Sequence, residues 1–219
     1  MSKKRNARRR TRNVLLIVSM MLVVAMASVG GTLAWLTASS GTVTNTFSVG
    51  DINLELKEHD YVAASNTLSD TEVTSEDQYK IVPGKDLPKD PFVKVLANSE
   101  ACWLFVKVDE TNKLTGMTWT IDDGKTTAMK SGIESADWNE LVVNGQTVAY
   151  YIEVSAEAAA AGASYNILAD CIVDVSDSIT KADLANYKTN KPTLSFTAYA
   201  VQKDGVADAA AAWAKIPTT

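Results

Sequence analysis

Residues 102–108 read Cys-Trp-Leu-Phe-Val-Lys-Val, and this stretch does most to decide the fold. Side chains of a β-strand alternate between the two faces of a sheet. One phase of this alternation carries Cys102, Leu104, Val106 and Val108, and the other carries Trp103 and Phe105. Both faces are therefore apolar, which predicts a central strand that is largely buried.

Similar apolar runs recur along the chain and predict further strands. Asn144-Gly145 interrupts one of them and is the pair that a type I′ hairpin turn favours, because both central residues need positive φ. Two Ala-rich stretches, 156–161 and 206–214, predict short solvated helices. The expected fold is mostly β, with short helices in its loops. The predicted strands lie at 46–57, 92–96, 102–108, 116–121, 141–154, 166–175 and 193–202.

Polar segments separate these runs. Residues 59–78 are rich in Ser, Thr, Asp and Glu, and residues 83–91 contain three prolines. Neither segment can bury much apolar surface, so both are expected to be loops or insertions. The domain is thus predicted to carry a polar insertion near 57–79.

The first 34 residues have the pattern of an export signal. Seven Lys and Arg lie at or before Arg12, an uncharged run extends over 14–29, and Gly-Gly-Thr-Leu-Ala follows at 30–34. A basic head, a short apolar stretch and small residues at its end are what signal peptidases recognise. The pattern predicts a signal helix over 1–34, cleavage between Ala34 and Trp35, and secretion to the cell surface or biofilm matrix.

Two alternatives to this cleavage site stay open. Cleavage after Ala38 would put Leu36 at a position that demands a small residue. An uncleaved signal would anchor the chain, because residues 14–38 are long enough to cross a bilayer core of about 30 Å. Contact with a membrane is expected only through such an uncleaved segment. The preferred site leaves an N-terminal strand segment over 35–49, followed by the β domain over 50–219.

The charge of the mature chain argues against nucleic-acid binding. Every Arg lies in the signal, and its removal leaves 14 Lys against 26 Asp plus Glu, a formal charge of −12. Such a field repels the phosphate backbone, and no guanidinium remains to grip phosphate with two hydrogen bonds. We therefore expect no nucleic-acid partner.

Four blocks of sequence carry a resemblance to a known family. They are GGTLAWL at 30–36, NTFSVGDINLEL at 45–56, VPGKDLPKDPFVKVLANSEACWLFVKV at 82–108 and LSFTAYAVQKDG at 194–205. In this order they resemble the TasA and camelysin group of Gram-positive secreted proteins, whose signal peptides are cut by a SipW-type signal peptidase. Segments 57–79 and 110–190 lie outside the resemblance.

The resemblance implies a jelly-roll-like β-sandwich that assembles head to tail into extracellular fibres of the biofilm matrix. Each subunit would lend its N-terminal strand to the next, so its partners would be further copies and the SipW-type peptidase. Residues 35–49 suit this role, because they are Pro-free and rich in Thr, Ser, Val and aromatics and can add a strand to an open sheet edge. The alternative is that they pair within their own domain. The expected assembly residues are Trp35, Leu36, Val43 and Phe47.

The camelysin name also raises a metalloprotease, which needs several zinc ligands and a base. The chain has one His, His59, and lacks the His-Glu-x-x-His pattern. Neither a Gly-x-Ser-x-Gly nucleophile nor a Gly-rich phosphate loop occurs. We expect no enzyme activity, no cofactor, no metal site and a solvated His59. Asp122-Asp123-Gly124 is expected to be a turn, with weak calcium binding at Asp-rich loops left open.

The cysteines and tryptophans leave further alternatives. Cys102 and Cys171 fall on apolar phases of predicted strands, and in a secreted domain they form either a disulfide or two buried free thiols. Exposed tryptophans would suit sugar binding, so a monomeric adhesin or a carbohydrate- or protein-binding module is the second functional reading, ahead of a metalloprotease. The tryptophans concerned are Trp119, Trp138 and Trp213.

Overall fold

A computed structural model describes residues 37–41, 44–45, 52–74, 79–112, 115–126 and 130–217, with the backbone alone for 37–45. Leu36–Thr219 forms one compact unit. The other unit, Met1–Trp35, lies outside the described residues, together with the expected signal helix and the cleavage site at Ala34.

The described residues are mostly β, with short helices between strands, as the sequence predicts. The helices are α1 (Ala156–Ala161), α2 (Lys181–Thr189) and α3 (Ala209–Trp213), and a 3₁₀ turn covers Ala169–Cys171. The strands are β1 (Thr37–Gly41), β2 (Thr44–Asn45), β3 (Leu54–Val62), β4 (Thr67–Val73), β5 (Leu87–Pro88), β6 (Phe92–Val95), β7 (Cys102–Thr111), β8 (Met117–Thr118), β9 (Asn139–Val143), β10 (Gln146–Val154), β11 (Ala163–Asn166), β12 (Ile172–Val175) and β13 (Thr193–Gln202).

These strands form antiparallel sheets. A six-stranded sheet has the order β2-β1-β13-β7-β10-β9, a four-stranded sheet has the order β11-β6-β3-β4, and a three-stranded sheet has the order β5-β12-β8. Apolar side chains from all three sheets join in one core cluster. The sheets therefore enclose a shared interior.

β7 is the central strand of the largest sheet. It pairs with β13 along its whole length, from Cys102↔Gln202 to Thr111↔Thr193, and with β10 on its other side. Leu104 and Val106 are fully buried in the shared core, whereas Phe105 is fully buried in a second cluster on the opposite face. The predicted two-sided burial of this strand is confirmed.

α3 covers the second face of the six-stranded sheet. Ala212 packs in the cluster around Phe105, and the Trp213 ring centroid lies 5.3 Å from that of Phe105. Ala209 and Ala212, and Ala159 of α1, are buried. Both Ala-rich helices are thus present, but the expectation that they are merely solvated is wrong, because alanine is small enough to bring a helix close to a sheet.

The hairpin between β9 and β10 has the predicted turn. Asn144 and Gly145 have φ values of 52° and 78°, and Gln146 pairs with Val143. Two consecutive positive φ values are what a type I′ turn requires, and the asparagine and glycine tolerate them. The hairpin prediction is confirmed.

The predicted polar insertion near 57–79 is largely a second hairpin. β3 continues through His59 to Val62, and β4 returns alongside it. Lys57 lies 2.8 Å from Glu55 and 3.0 Å from Glu72, so opposite charges support this ladder where apolar alternation is missing. The loop expectation failed because a ladder of charged side chains does not show a hydrophobic period.

Two other predicted strands are shorter than expected. The run at 166–175 is divided into β11 and β12 by the 3₁₀ turn, in which Asp170 and Cys171 have φ values of 53° and 54°. Left-handed backbone cannot continue a β-ladder. The run at 116–121 contributes only β8.

Two glycines with similar φ should respond differently to alanine. Gly145→Ala should lower the free energy of unfolding by about 1 kcal/mol, because alanine is strained at positive φ while nothing lies within 4 Å of the added Cβ. Gly162→Ala should cost clearly more, because φ is 83° and the Cβ would lie 3.0 Å from the backbone nitrogen of Ala97. Urea unfolding of both variants tests this difference, and equal losses would contradict it.

Candidate functional site

A groove of about 650 Å³ opens beside the first half of β13. β3, β13 and α2 all contribute residues to its wall. Its apolar lining draws on parts of the chain that are far apart in sequence and includes Leu56, Ile81, Leu87, Trp119, Leu184 and Phe196. A concave, mostly apolar surface of this size suits an extended peptide or a small ligand.

One edge of β13 borders this groove. β7 pairs with β13 on one side over all of Thr193–Gln202, whereas β1 pairs on the other side only from Ala198 to Val201. β1 then turns back into β2 at Gly41. Among the described strands, none pairs with the β1 side of Thr193–Thr197, and Thr193 to Phe196 line the groove. This stretch therefore presents main-chain donors and acceptors beside apolar side chains.

Lys89 lines the groove and contacts two of its aromatic rings. Its Nζ lies 5.0 Å from the centre of the Tyr79 ring and 5.9 Å from the centre of the Phe196 ring, and it also forms an ion pair with Glu58. The ammonium thus bridges two rings that belong to different segments. Other lysines stand around the lining, namely Lys80, Lys188 and Lys191.

α2 forms one wall of the groove through Leu184 and Tyr187. The helix begins with a capping box in which Thr180 and Asp183 exchange side-chain and backbone hydrogen bonds. Bonding from the Thr180 side chain and backbone lowers the pKa of Asp183. The cap is therefore favoured by the ionised carboxylate and weakens as pH falls through this lowered pKa.

The predicted assembly residues are not among those that the structure describes. Trp35, Leu36, Val43 and Phe47 all lie outside the described residues. β1, which belongs to the same predicted segment, pairs with β13 of its own chain. The stretch Thr193–Thr197, which no described strand pairs on the β1 side, was not singled out in the sequence, although the block at 194–205 contains all of it except Thr193.

His59 is not solvated, contrary to expectation. It is 6 % exposed, and its Nδ1 lies 2.7 Å from Oδ2 of Asp90, which is 1 % exposed. The backbone N–H of His59 donates to the other carboxylate oxygen at 3.0 Å. The pair joins β3 to the residue two before β6 and is satisfied within the core, so it serves structure.

Asp122 is the centre of a buried polar network and has no exposed surface. Its carboxylate accepts from the Ser135 hydroxyl at 2.9 Å, from backbone N–H groups of Gly124 and Ala136, and from the Asn166 amide. The bond from Gly124 closes the predicted turn. Both oxygens already face donors, so this carboxylate is poorly suited to bind a cation.

Both cysteines are free and fully buried, so the candidate disulfide between Cys102 and Cys171 is not formed. Cys171 Sγ donates to Asn166 Oδ1 at 3.5 Å. Burial raises the pKa of the Cys102 thiol to about 12. The two thiols lie in different settings, one on β7 and one in the left-handed turn.

The three candidate tryptophans have different surroundings. Trp138 is buried and donates from Nε1 to the Asn166 carbonyl at 2.7 Å, and Trp213 packs against Phe105. Trp138 therefore cannot serve as an exposed sugar platform, whereas Trp213 is partly buried. Trp119 lines the groove, where its Nε1 donates to Glu110.

Within the described ranges, His, Cys, Asp and Glu side chains form no group of three that could hold a metal ion. In the same part of the chain, no helix is long and apolar enough to span a membrane. Comparison with protein-family models, with curated proteins and with solved structures finds no match to this chain.

Adjacent aspartates provide a test of the buried network. Asp122→Asn should lower the free energy of unfolding by about 2 kcal/mol, because one amide NH₂ would face donors that now bind a carboxylate. Asp123→Asn should leave the urea midpoint unchanged, since Asp123 only pairs with Lys125 at the exposed surface. Equal effects would contradict the role of Asp122.

The free thiols should resist alkylation in the native state. We expect iodoacetamide to leave the folded protein unmodified and to label both Cys102 and Cys171 in urea without any reductant, because burial hides the thiols and disfavours the thiolate. Intact mass spectrometry measures the addition. Labelling in urea that requires a reductant would instead indicate a disulfide.

Proposed function

We propose that this chain is a secreted, non-enzymatic structural subunit or accessory protein of an extracellular fibre or biofilm matrix. Its body would be a jelly-roll-like β-sandwich, and it would assemble by lending residues 35–49 to another copy. The observation that carries this proposal is the edge of β13 at Thr193–Thr197, which no strand within the described ranges pairs on the β1 side and which lies beside the apolar groove.

The physical basis of such assembly is strand addition. An uncovered edge presents main-chain N–H and C=O groups to any extended peptide, and neighbouring side-chain pockets select its sequence. Natural proteins commonly protect edges with charge. β4, the edge of the four-stranded sheet, follows that rule with Asp70 and Glu72, whereas Thr193–Thr197 carries no charge.

The chain's own N-terminal strand marks where a donated strand would bind. β1 already occupies the edge next to Ala198–Val201, so the edge accepts strands of this sequence. A donated copy would replace β1 there and continue beside Thr193–Thr197. Signal removal after Ala34 by a SipW-type peptidase would free the donor segment at Trp35.

Trp119 supports a second candidate function, which is ligand binding by a monomeric surface module. Its ring lines the groove together with Tyr79, Tyr187 and several lysines, which suits a carbohydrate or another polar ligand of a monomeric surface module. Strand donation and ligand binding would compete for one groove. Saturable binding by a protein that stays monomeric would favour this alternative.

Two chains that differ only in the donor segment test the proposal. The chain from Trp35 should form fibres in negative-stain electron microscopy and elute early in size exclusion, whereas the chain from Ser48 should remain monomeric at the same concentration. Circular dichroism must show that the shorter chain is folded. A synthetic peptide of residues 35–47 should then bind the shorter chain, because its β13 edge is fully uncovered.

Two results would contradict the fibre proposal. One is a chain from Trp35 that stays monomeric at every salt concentration and pH tried. The other is equal assembly of both chains, which would show that residues 35–47 are not the joining element.

A further inference from the structure

Charge is distributed differently in the groove and in the chain as a whole. After Ala34 the sequence has 14 Lys against 26 Asp plus Glu, so carboxylates are in clear excess. Among the described residues that line the groove, five lysines outnumber two glutamates, which reverses this balance. A concave surface with an excess of one charge attracts ligands of the opposite charge. The lysines are Lys57, Lys80, Lys89, Lys188 and Lys191, and the glutamates are Glu58 and Glu110.

Both glutamates of the lining are already engaged. Glu58 accepts a hydrogen bond from Lys89, and Glu110 accepts one from Nε1 of Trp119. Lys57 is likewise ion-paired with two carboxylates of its own hairpin. These contacts hold the lining together and leave the positive excess to the other lysines.

Three lysines of the lining stand apart from these pairs. Lys80, Lys188 and Lys191 are exposed, and no ion pair between described residues includes any of them. Lys80 follows Tyr79, whereas Lys188 lies in the last turn of α2 and Lys191 just beyond that helix. Two segments that are distant in sequence therefore bring ammonium groups to one groove.

The remainder of the lining is mostly apolar. Leu87, Val173 and Phe196 belong to the buried core and also border the groove. The volume of about 650 Å³ lies within the range of about 300–1,000 Å³ that is usual for small-molecule sites. Burial of apolar surface would supply most of the affinity of a ligand here. Further apolar side chains in the lining are Leu56, Ile81, Met117, Trp119, Leu184 and Leu194.

Neither a donated strand nor a neutral sugar uses this charge. Residues 35–49 contain no Asp or Glu, so they offer no carboxylate to the three exposed lysines. A neutral sugar also lacks an anionic group, and it has no long apolar body for the rest of the lining. The combination of apolar lining and exposed ammonium groups therefore favours a third kind of ligand.

We propose that the groove binds a single-chain amphiphile with an anionic head group, such as a fatty carboxylate. The acyl chain packs on the apolar lining, and the carboxylate faces Lys80, Lys188 and Lys191. The apolar chain supplies affinity, and the ammonium groups select the charge of the head group. This inference goes beyond the proposed function and depends neither on strand donation nor on carbohydrate binding.

A ligand series tests this chemistry by titration calorimetry of the chain from Trp35, at protein concentrations that give no fibres. Dodecanoate should bind saturably at neutral pH. Decanoate, which is two methylenes shorter, should bind about tenfold more weakly, because each buried methylene contributes about fourfold in affinity. Dodecyltrimethylammonium, which has a chain of the same length and a cationic head group, should also bind about tenfold more weakly or worse.

The series can contradict each part of the proposal. Equal affinities for dodecanoate and dodecyltrimethylammonium would overturn the role of the lysines. Equal affinities for dodecanoate and decanoate would overturn the role of the apolar lining. Absence of saturable dodecanoate binding, with or without binding of a neutral oligosaccharide, would overturn the whole inference. None of these results bears on the fibre experiment, which is done without amphiphile.

Two matched pairs of lysine variants locate the head group. Lys188→Gln with Lys191→Gln should weaken dodecanoate binding about fivefold or more, because two exposed ammonium groups are lost from the groove. Lys85→Gln with Lys181→Gln removes the same charge from exposed positions outside the lining and should leave the affinity unchanged. Circular dichroism checks that both variants are folded. Equal weakening by the two pairs would show that only the net charge matters and would overturn the assignment to the groove.

Discussion

The two-sided burial of β7 is the constraint on which the rest of the structure depends. A strand that is apolar on both faces needs a cover on each side, and here the two covers are different. One is the core shared with β3, β6 and β12, and the other is the short helix α3. A register slip would exchange the side chains of these two cores, so the pairing of β7 with β13 and β10 is strongly specified.

The groove follows from the same constraint. β13 pairs with β7 along ten residue pairs, which fixes its position in the sheet. On its other edge, β1 pairs with only four of its residues. The rest of this edge lies beside Leu56 and Phe196, which line the groove. The groove is thus a by-product of how the core is closed.

The sequence predicted the elements whose information is local. The alternation in 102–108 identified β7, Asn144-Gly145 identified the hairpin turn, and the Ala-rich stretches identified two helices. β4 was not predicted, because contacts between its hairpin strands include charged pairs such as Lys57 with Glu72, and charged side chains show no hydrophobic period. The burial of His59 was not predicted for another reason. Its partner, Asp90, is 31 residues away in the sequence, and only the fold brings the two side chains together.

The candidate site, like the fold, could be predicted only where its information is local in sequence. An uncharged, Pro-free segment at 35–49 is visible in the sequence, but the groove is assembled from β3, β13, α2 and the residue Trp119, which no spacing rule connects. Strand donation would use these parts without disturbing either core, because main-chain bonds form at an edge already rigid on its other side. Under the proposed function, a donated strand that extended past Ala198 would add contacts with the groove. Release of β1 would then be the barrier, and protein concentration would set which pairing prevails.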